Sequence, residues 1–393
     1  MTDIRANGTG GAVGHGATGA QSEALRRILL SSSHASEGGV SVYLDMLARV
    51  MRARGWDAQT AALYRSPRPD PRRFDEIMVE VDTLGATGYG RAFWRFLSKV
   101  RREKPDVVLG AMPLSNVMAG TAALLTGSKA IATHHSPLET HSRPIAMLDR
   151  WLGSLGAYDS VICVSEAVAR SFGNYPESYL KHLQVVANGV VPVRASCDRA
   201  HIVEKYQLNP DLPFIVMAGR FAPQKNPLAA IKAVSKVPGV QLVMAGTGPL
   251  RPDVEALISE LGLSDRVFLV GLLDRPDLHD LMGTCDAFMQ VSLYEGQSLA
   301  LLEAVSAGRP IIISDVPTQV ESVIGADGGL GATICDPEDP QSIADAITLA
   351  LFDDVHRARV SKTAQALAQD VRTDEQMQSD YAEYFCSIVG RTG

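Results

Sequence analysis

Short apolar runs alternate with helical stripes along this chain, and the alternation repeats often enough to define an architecture. The first run, Ile28-Leu29-Leu30-Ser31-Ser32-Ser33, reads as a short strand. Val40, Tyr43, Leu44, Leu47, Val50 and Met51 follow at the spacing of one helix face, and Gly55 stops that helix. The same rhythm predicts strands at Ala58–Leu63, Asp106–Gly110, Lys129–His134, Ser160–Val164 and Gln184–Val186. A polar stretch from Arg194 to Pro213 reads as a linker. The second series beyond it places strands at Phe214–Gly219, Gln241–Gly246, Arg266–Val270, Ala287–Val291 and Pro310–Ser314. Strands alternating with helices indicate parallel sheets, and two series indicate two doubly wound α/β domains. Ligands of such sheets bind beyond the carboxyl ends of the strands, so two facing sheets predict an active site in the cleft between domains.

The ends of the chain read differently. Residues 1–24 are Gly-, Ala- and Thr-rich without hydrophobic periodicity, and disorder is expected there. The string Gly14-His15-Gly16-Ala17-Thr18-Gly19 spells a dinucleotide fingerprint, but it follows no strand and opens no helix. It is therefore set aside, which disfavours an NAD-dependent oxidoreductase. The N-terminal domain then covers residues 25–193 and the C-terminal domain 194–373. Residues 374–390 carry Met377, Tyr381, Tyr384, Phe385 and Ile388 at helical spacing, a terminal helix that needs a partner surface.

Composition narrows the function classes. The 393 residues hold 37 Lys+Arg against 44 Asp+Glu, a net charge of −7, which argues against a general nucleic-acid binder. No run of 18 apolar residues occurs, so no membrane span is expected, and the N-terminus lacks the apolar core of a secretory signal. The five cysteines are scattered and form no C-x-x-C pair, as expected of reduced thiols in a cytoplasmic protein.

The richest chemistry lies in Ser292-Leu293-Tyr294-Glu295-Gly296-Gln297-Ser298-Leu299-Ala300-Leu301-Leu302-Glu303-Ala304, after a predicted strand. Ser298 is a good N-cap for a helix from Leu299 to about Ala307, and Gly308 is a good stop. Glu295 then precedes the helix and Glu303 sits on its second turn, with Leu299, Leu302 and Val305 expected on a buried face. Two carboxylates so separated could hold the hydroxyl-bearing ends of one elongated ligand, or could be solvated surface charges. Upstream, Gly219-Arg220-Phe221-Ala222-Pro223-Gln224-Lys225 sets two cations beside a helix N-terminus, a setting that suits a phosphate. An ordinary basic loop would read the same. Gly38-Gly39, opening the first helix, is a second candidate anion cradle.

These pieces together resemble the family 4 retaining glycosyltransferases of the GT-B fold. The resemblance rests on Glu295…Glu303 with Ser292 ahead and Ala304…Ala307-Gly308…Pro310 behind. Glu37-Gly38-Gly39, Thr133-His134-His135, Val164-Ser165-Glu166, Asn188-Gly189-Val190, Gly219-Arg220…Lys225 and Gly246-Thr247-Gly248-Pro249-Leu250 follow in that family's order, across residues 27 to 390. It implies two Rossmann-like domains facing across a cleft, and a nucleotide-diphosphate sugar as donor. Arg220 and Lys225 would grip the diphosphate, with Gly219 beside them and the Gly38-Gly39 turn opposite. Glu303 would accept hydrogen bonds from the ribose. Glu295 would meet the donor sugar, near the backbone N–H groups of Gly296, Gln297, Ser298 and Leu299. The family's histidine falls at His135 rather than His134, and the loop around Leu272 would hold the base. The terminal helix would cross back onto the first domain. Three departures stand out: Gln297-Ser298 after Glu295-Gly296, Asn226 after Lys225, and Val291 before Ser292.

No D-x-D occurs, so no metal or other cofactor is expected, and positive side chains with helix N-termini would stabilise the leaving diphosphate. The acceptor is left as a glycan, lipid-linked or small-molecule hydroxyl. His134, His135 and His141 invite a metal site, for which no fourth ligand or matching carboxylate spacing is evident. Another GT-B enzyme, such as a sugar-nucleotide epimerase or a phosphorylase, and a non-catalytic sugar-nucleotide-binding protein are the rival readings. Residues 91–102 form a basic amphipathic pattern that either rests on an anionic membrane or packs on its own sheet.

Overall fold

The computed structural model describes residues 26–35, 38–65 and 73–390. The first half runs β1 (Arg27–Ala35), α1 (Gly39–Ala53), β2 (Asp57–Arg65), β3 (Glu76–Val79), α2 (Ala86–Glu103), β4 (Val107–Gly110), α3 (Pro113–Thr126), β5 (Lys129–His134), α4 (Arg143–Ser154), β6 (Ser160–Cys163), α5 (Glu166–Ser171), α6 (Glu177–Leu180) and β7 (Leu183–Val185). The second runs α7 (Arg199–Lys205), β8 (Phe214–Ala218), α8 (Pro227–Lys236), β9 (Gln241–Ala245), α9 (Arg251–Glu260), β10 (Val267–Gly271), α10 (Arg275–Thr284), β11 (Ala287–Gln290), α11 (Leu299–Ser306), β12 (Ile311–Ser314), α12 (Pro317–Glu321), β13 (Thr333–Cys335), α13 (Pro340–Phe352) and α14 (Asp354–Asp370). The helix α15 (Asp374–Gly390) closes the chain. The tail expected to be disordered, and Glu37 of the first glycine turn, lie outside the described residues.

The strands form two parallel sheets, ordered β3-β2-β1-β4-β5-β6-β7 and β10-β9-β8-β11-β12-β13. Each sheet changes winding direction once, at β1/β4 and at β8/β11, and a binding crevice opens beyond the strand ends at such a point. Ile131, Val161, Ile162, Phe288 and Ile312 are fully buried, because helices cover both faces of each sheet.

Two strands escaped the sequence pattern. β3 and β13 are edge strands of four and three residues, each paired with one neighbour only. The segment from Arg194 to Pro213 is not a bare linker either. It contains α7, whose cap Asp198 accepts from the His201 N–H at 2.9 Å and whose Ile202 is buried in the second core. The chain passes between the two sheets near Val190 and again near Thr373, where these two residues form a parallel bridge. Gly189 lies at this crossing, and a Cβ there would overlap the Thr373 carbonyl, so only glycine allows the two passages to touch. α15 then lays Met377, Tyr381, Phe385 and Ile388 into the first core, with the Tyr381 ring 5.5 Å from Tyr43.

α2 carries the basic segment 91–102. Ala92, Phe96, Leu97 and Val100 are buried against the first sheet, and Lys99 is buried in ion pairs with Glu76 and Glu103. The main apolar face of this helix is thus spent on the protein's own core, the second of the two expectations for the segment, while Arg91, Arg95, Arg101 and Arg102 stay exposed. Among the described residues no helix is long and apolar enough to cross one.

Candidate active site

Beyond β8 the chain turns through Gly219, at φ +149°, into the Arg220–Lys225 loop. Asn226 follows at φ +56°, the left-handed conformation that Asn tolerates better than most side chains. Its amide donates to the Pro337 carbonyl at 2.7 Å, which explains why asparagine serves at this position as well as glycine. Lys225 Nζ sits 2.6 Å from Glu295 Oε1, and the pair is largely buried. Gln224 Nε2 donates to Glu295 Oε2 at 3.3 Å and to the Tyr294 carbonyl at 3.1 Å, while Leu293 N–H donates to the Gln224 carbonyl at 2.8 Å. The loops after β8 and β11 are therefore stitched into one wall. Arg220 is exposed, its carbonyl accepts from Ala222 N–H at 2.8 Å, and its side chain makes no hydrogen bond or ion pair among the described residues. Its charge, after burial, helps hold His34 of the opposite half below the usual histidine range.

Ser298 caps α11: its Oγ accepts from Leu301 N–H at 3.4 Å and donates to Gln290 Oε1 at 2.8 Å. Leu301, Leu302, Ala304 and Val305 are buried, whereas Leu299, expected in that set, is only half-buried beside the helix start. Glu303 is 6% exposed. Its Oε1 accepts from Arg275 at 2.8 and 3.2 Å and lies 3.8 Å from His279 Nε2. Every one of these contacts falls on Oε1, which leaves Oε2 for a ligand. Leu272, 68% exposed, stands on the loop after β10.

The first half meets this wall at His135. Gly38 is the extended N-cap of α1, and among the described residues nothing lies within 4 Å of where a Cβ on Gly38 or Gly39 would stand. A Cβ on Gly296 would overlap the His135 carbonyl oxygen, so the Glu295-Gly296 loop and the end of β5 touch only because residue 296 is glycine. His135 Nε2 lies 3.1 Å from Thr133 Oγ1, whose hydroxyl donates to the Gly110 carbonyl at 2.9 Å. The imidazole must therefore donate through Nε2, and Nδ1 is left as an acceptor. Burial pushes His135 down to about 3, so it is neutral near pH 7. His134 points the other way, into a buried cluster: Nε2 lies 3.0 Å from the Tyr179 hydroxyl, and Asp149 accepts from Tyr179 at 2.8 Å and Tyr158 at 3.0 Å. Among the described residues no group of three His, Cys, Asp or Glu side chains is arranged to hold a metal.

The buried histidines make stability depend on pH. Burial lowers His134 and His135 to about 3 and His141 to about 4, below the 6.5 of an exposed histidine. The unfolded chain then binds more protons below pH 6.5, so the stability these groups carry is complete above that pH and lost as it falls. Asp149, raised by burial to about 6, acts in the opposite sense between about 4 and 6 but offsets only one of the three. The melting temperature is expected to fall steadily from pH 7 to 4.5; a flat profile over that range would contradict this assignment.

Several contacts had no signal in the sequence. Gln297, expected beside the ligand, spends its side chain across the domain boundary: Oε1 accepts from Asn188 N–H at 2.6 Å, and its carbonyl accepts from Asn188 Nδ2 at 3.3 Å. Glu321 on α12 accepts from the N–H groups of Glu166 and Ala167 at 2.8 and 2.5 Å, a second strut between the halves. Arg275, the partner of Glu303, opens α10 with no motif to mark it.

Two family models and several glycosyltransferases match the chain. The family model "Glycosyltransferase Family 4" matches residues 37–194, and "Glycosyl transferases group 1" matches residues 198–367. The chain is 32% identical over 173 residues to the alpha-D-kanosaminyltransferase of Streptomyces kanamyceticus, a match spanning 43% of this chain and 44% of that relative's length. To the lipopolysaccharide core biosynthesis glycosyltransferase LpsE of Rhizobium meliloti it is 23% identical over 325 residues, 81% of this chain and 84% of that one. The crystal structure of HepE from Anabaena in complex with UDP and glucose superposes with a TM-score of 0.76 at 18% identity, covering 92% of this chain and all of that one, a likeness of fold.

Proposed function

Because this chain belongs to the family 4 glycosyltransferases of the GT-B fold, we propose that it moves a sugar from a nucleotide-diphosphate donor to a hydroxyl acceptor with retention of configuration and without a metal. The acceptor class is a glycan, a lipid-linked saccharide or a small molecule. The observation that carries the reading is the buried Lys225–Glu295 pair, 2.6 Å apart at the amino end of α11, with Glu303 on the same helix. A diphosphate between Lys225 and Arg220 would meet two cations and the N–H groups opening α11, all in place before reaction. Glu303 Oε2 would accept from the ribose, and the loop around Leu272 would take the base.

In the reaction the bond from the anomeric carbon to phosphate oxygen breaks, and the electron pair leaves with the nucleoside diphosphate. Arg220 and Lys225 stabilise the charge that grows on that oxygen. The acceptor oxygen bonds to the same face of the anomeric carbon, and its proton passes to the departing phosphate oxygen. His135, neutral and with Nδ1 open, accepts a hydrogen bond from a sugar hydroxyl without adding charge. Gln297 and Asn188 tie the two halves together beside the cleft.

The test is a melting screen against UDP-, GDP- and ADP-sugars, followed by transfer assays with the matched donor. A donor at about 100 times its Kd should stabilise the chain by about 2.7 kcal/mol. Nucleoside diphosphate should appear one-for-one with glycoside, in EDTA as without it, and nuclear magnetic resonance should show the donor's anomeric configuration in the product. Free sugar phosphate or an epimerised donor would point to the phosphorylase or epimerase readings. An inverted product would overturn retention.

A further inference from the structure

α2, α3 and α4 form one layer on the face of the first sheet opposite α1 and α15. The outside of this layer is unusually apolar. On and just after α4, Met147, Leu148, Trp151 and Leu155 are 71%, 46%, 61% and 60% exposed, and their spacing sets them on a single stripe. Leu124 of α3 and Trp94 of α2 are exposed on the same layer. Exposed apolar residues gathered in this way mark an interaction surface.

Charge says what kind of partner fits. The three helices expose Arg91, Arg95, Arg101, Arg102, Arg143 and Arg150. Their acidic residues are two: Glu103, paired with Lys99 at 2.8 Å, and Asp149, buried under the Tyr158 and Tyr179 hydroxyls. The asymmetry extends to the halves, with 20 Lys+Arg against 15 Asp+Glu over residues 26–193 and 16 against 27 over residues 194–393. A second copy of the chain meeting this face two-fold would set positive side chains against their own kind. An anionic bilayer supplies both the apolar depth for tryptophan and leucine and the negative headgroups for arginine.

We propose that the outer face of the α2–α3–α4 layer, centred on the α4 stripe, docks the protein onto an anionic membrane surface. The docking element is α4, since α2 spends its main apolar face on the core. A surface so placed would bring an acceptor anchored in the same leaflet toward the cleft; that consequence rests on the transferase reading, whereas the docking itself does not.

The test is flotation of the full-length chain with phosphatidylcholine vesicles, with and without phosphatidylglycerol, in the absence of any donor. The wild type should float with the phosphatidylglycerol vesicles, be released by salt, and stay behind with phosphatidylcholine alone. Both positions are exposed, so Met147→Glu/Trp151→Glu should keep the wild-type melting temperature and donor affinity while its partition falls by about tenfold or more. Failure of the wild type to bind anionic vesicles, salt-insensitive binding to neutral ones, or undiminished binding by the double variant would overturn the proposal. A wild-type dimer that the double variant dissolves would overturn it in favour of a second copy. Donor affinity, measured separately, decides the transferase reading.

Discussion

Alanine at Lys225 or Arg220 is expected to slow sugar transfer by about 10²–10³-fold, the usual loss when one preorganised donor to a developing negative charge is removed. Stability should separate the two variants. Lys225 is already engaged in the free protein, 2.6 Å from a Glu295 carboxylate whose side chain is 7% exposed. Among the described residues, its removal leaves that carboxylate with only the 3.3 Å contact from Gln224. Breaking a fully buried pair costs about 3–5 kcal/mol, and partial exposure of the lysine places this site toward or below the lower figure. A drop of several degrees in melting temperature should accompany the kinetic loss. The Arg220 side chain is exposed and unpartnered among the described residues, so the alanine variant should melt like the wild type. Steady-state kinetics with parallel melting curves check both halves. Near-wild-type turnover in either variant, or equal thermal losses in both, would contradict the roles assigned to these two cations.

Gly296→Ala should produce the second large effect, through geometry alone. The added Cβ would overlap the His135 carbonyl oxygen, with His135 C at 2.6 Å and Ser136 N at 3.3 Å behind it. All three are backbone atoms at the end of β5 and cannot swing aside as a flexible side chain can. The loop carrying Glu295 must back away, and with it the N–H groups at the start of α11. Displacement by about 1 Å is enough to cost about 10²-fold in rate. Each half keeps its own core, so the melting temperature should change little, and the loss should fall on turnover. A variant with wild-type kcat would show that the contact of the two halves at residue 296 does not matter to the chemistry.

The sequence carried the sites that depend on local rules. Ser298 ahead of Leu299-Ala300-Leu301-Leu302 announces a capped helix because the cap is a short-range hydrogen bond, and the structure contains it. The buried strands were legible because parallel strands covered on both sides must be continuously apolar. What stayed hidden depends on contacts between distant segments. β3 and β13 exist because a neighbouring strand offers them an edge. Arg275 reaches Glu303 because α10 and α11 pack together, and nothing near Gly271 foretells it. Gln297 is expected near the donor through its backbone N–H; that its side chain is held by Asn188, 109 positions away, has no mark in the sequence. The basic helix at 91–102 shows the same limit: its amphipathic pattern fits a membrane or a sheet equally, and only the fold decides.

The central claim is that a diphosphate lies against Arg220 and Lys225 while its nucleoside rests by Glu303. Titration calorimetry with the matched nucleoside diphosphate and its monophosphate, on the wild type and on Arg220→Ala, tests it most directly. The diphosphate should bind the wild type at least about tenfold more tightly, and the advantage should largely vanish in the variant, since a charged hydrogen bond is worth about 1.5–3 kcal/mol. Equal affinity for the two nucleotides in the wild type, or an undiminished preference in Arg220→Ala, would contradict the account.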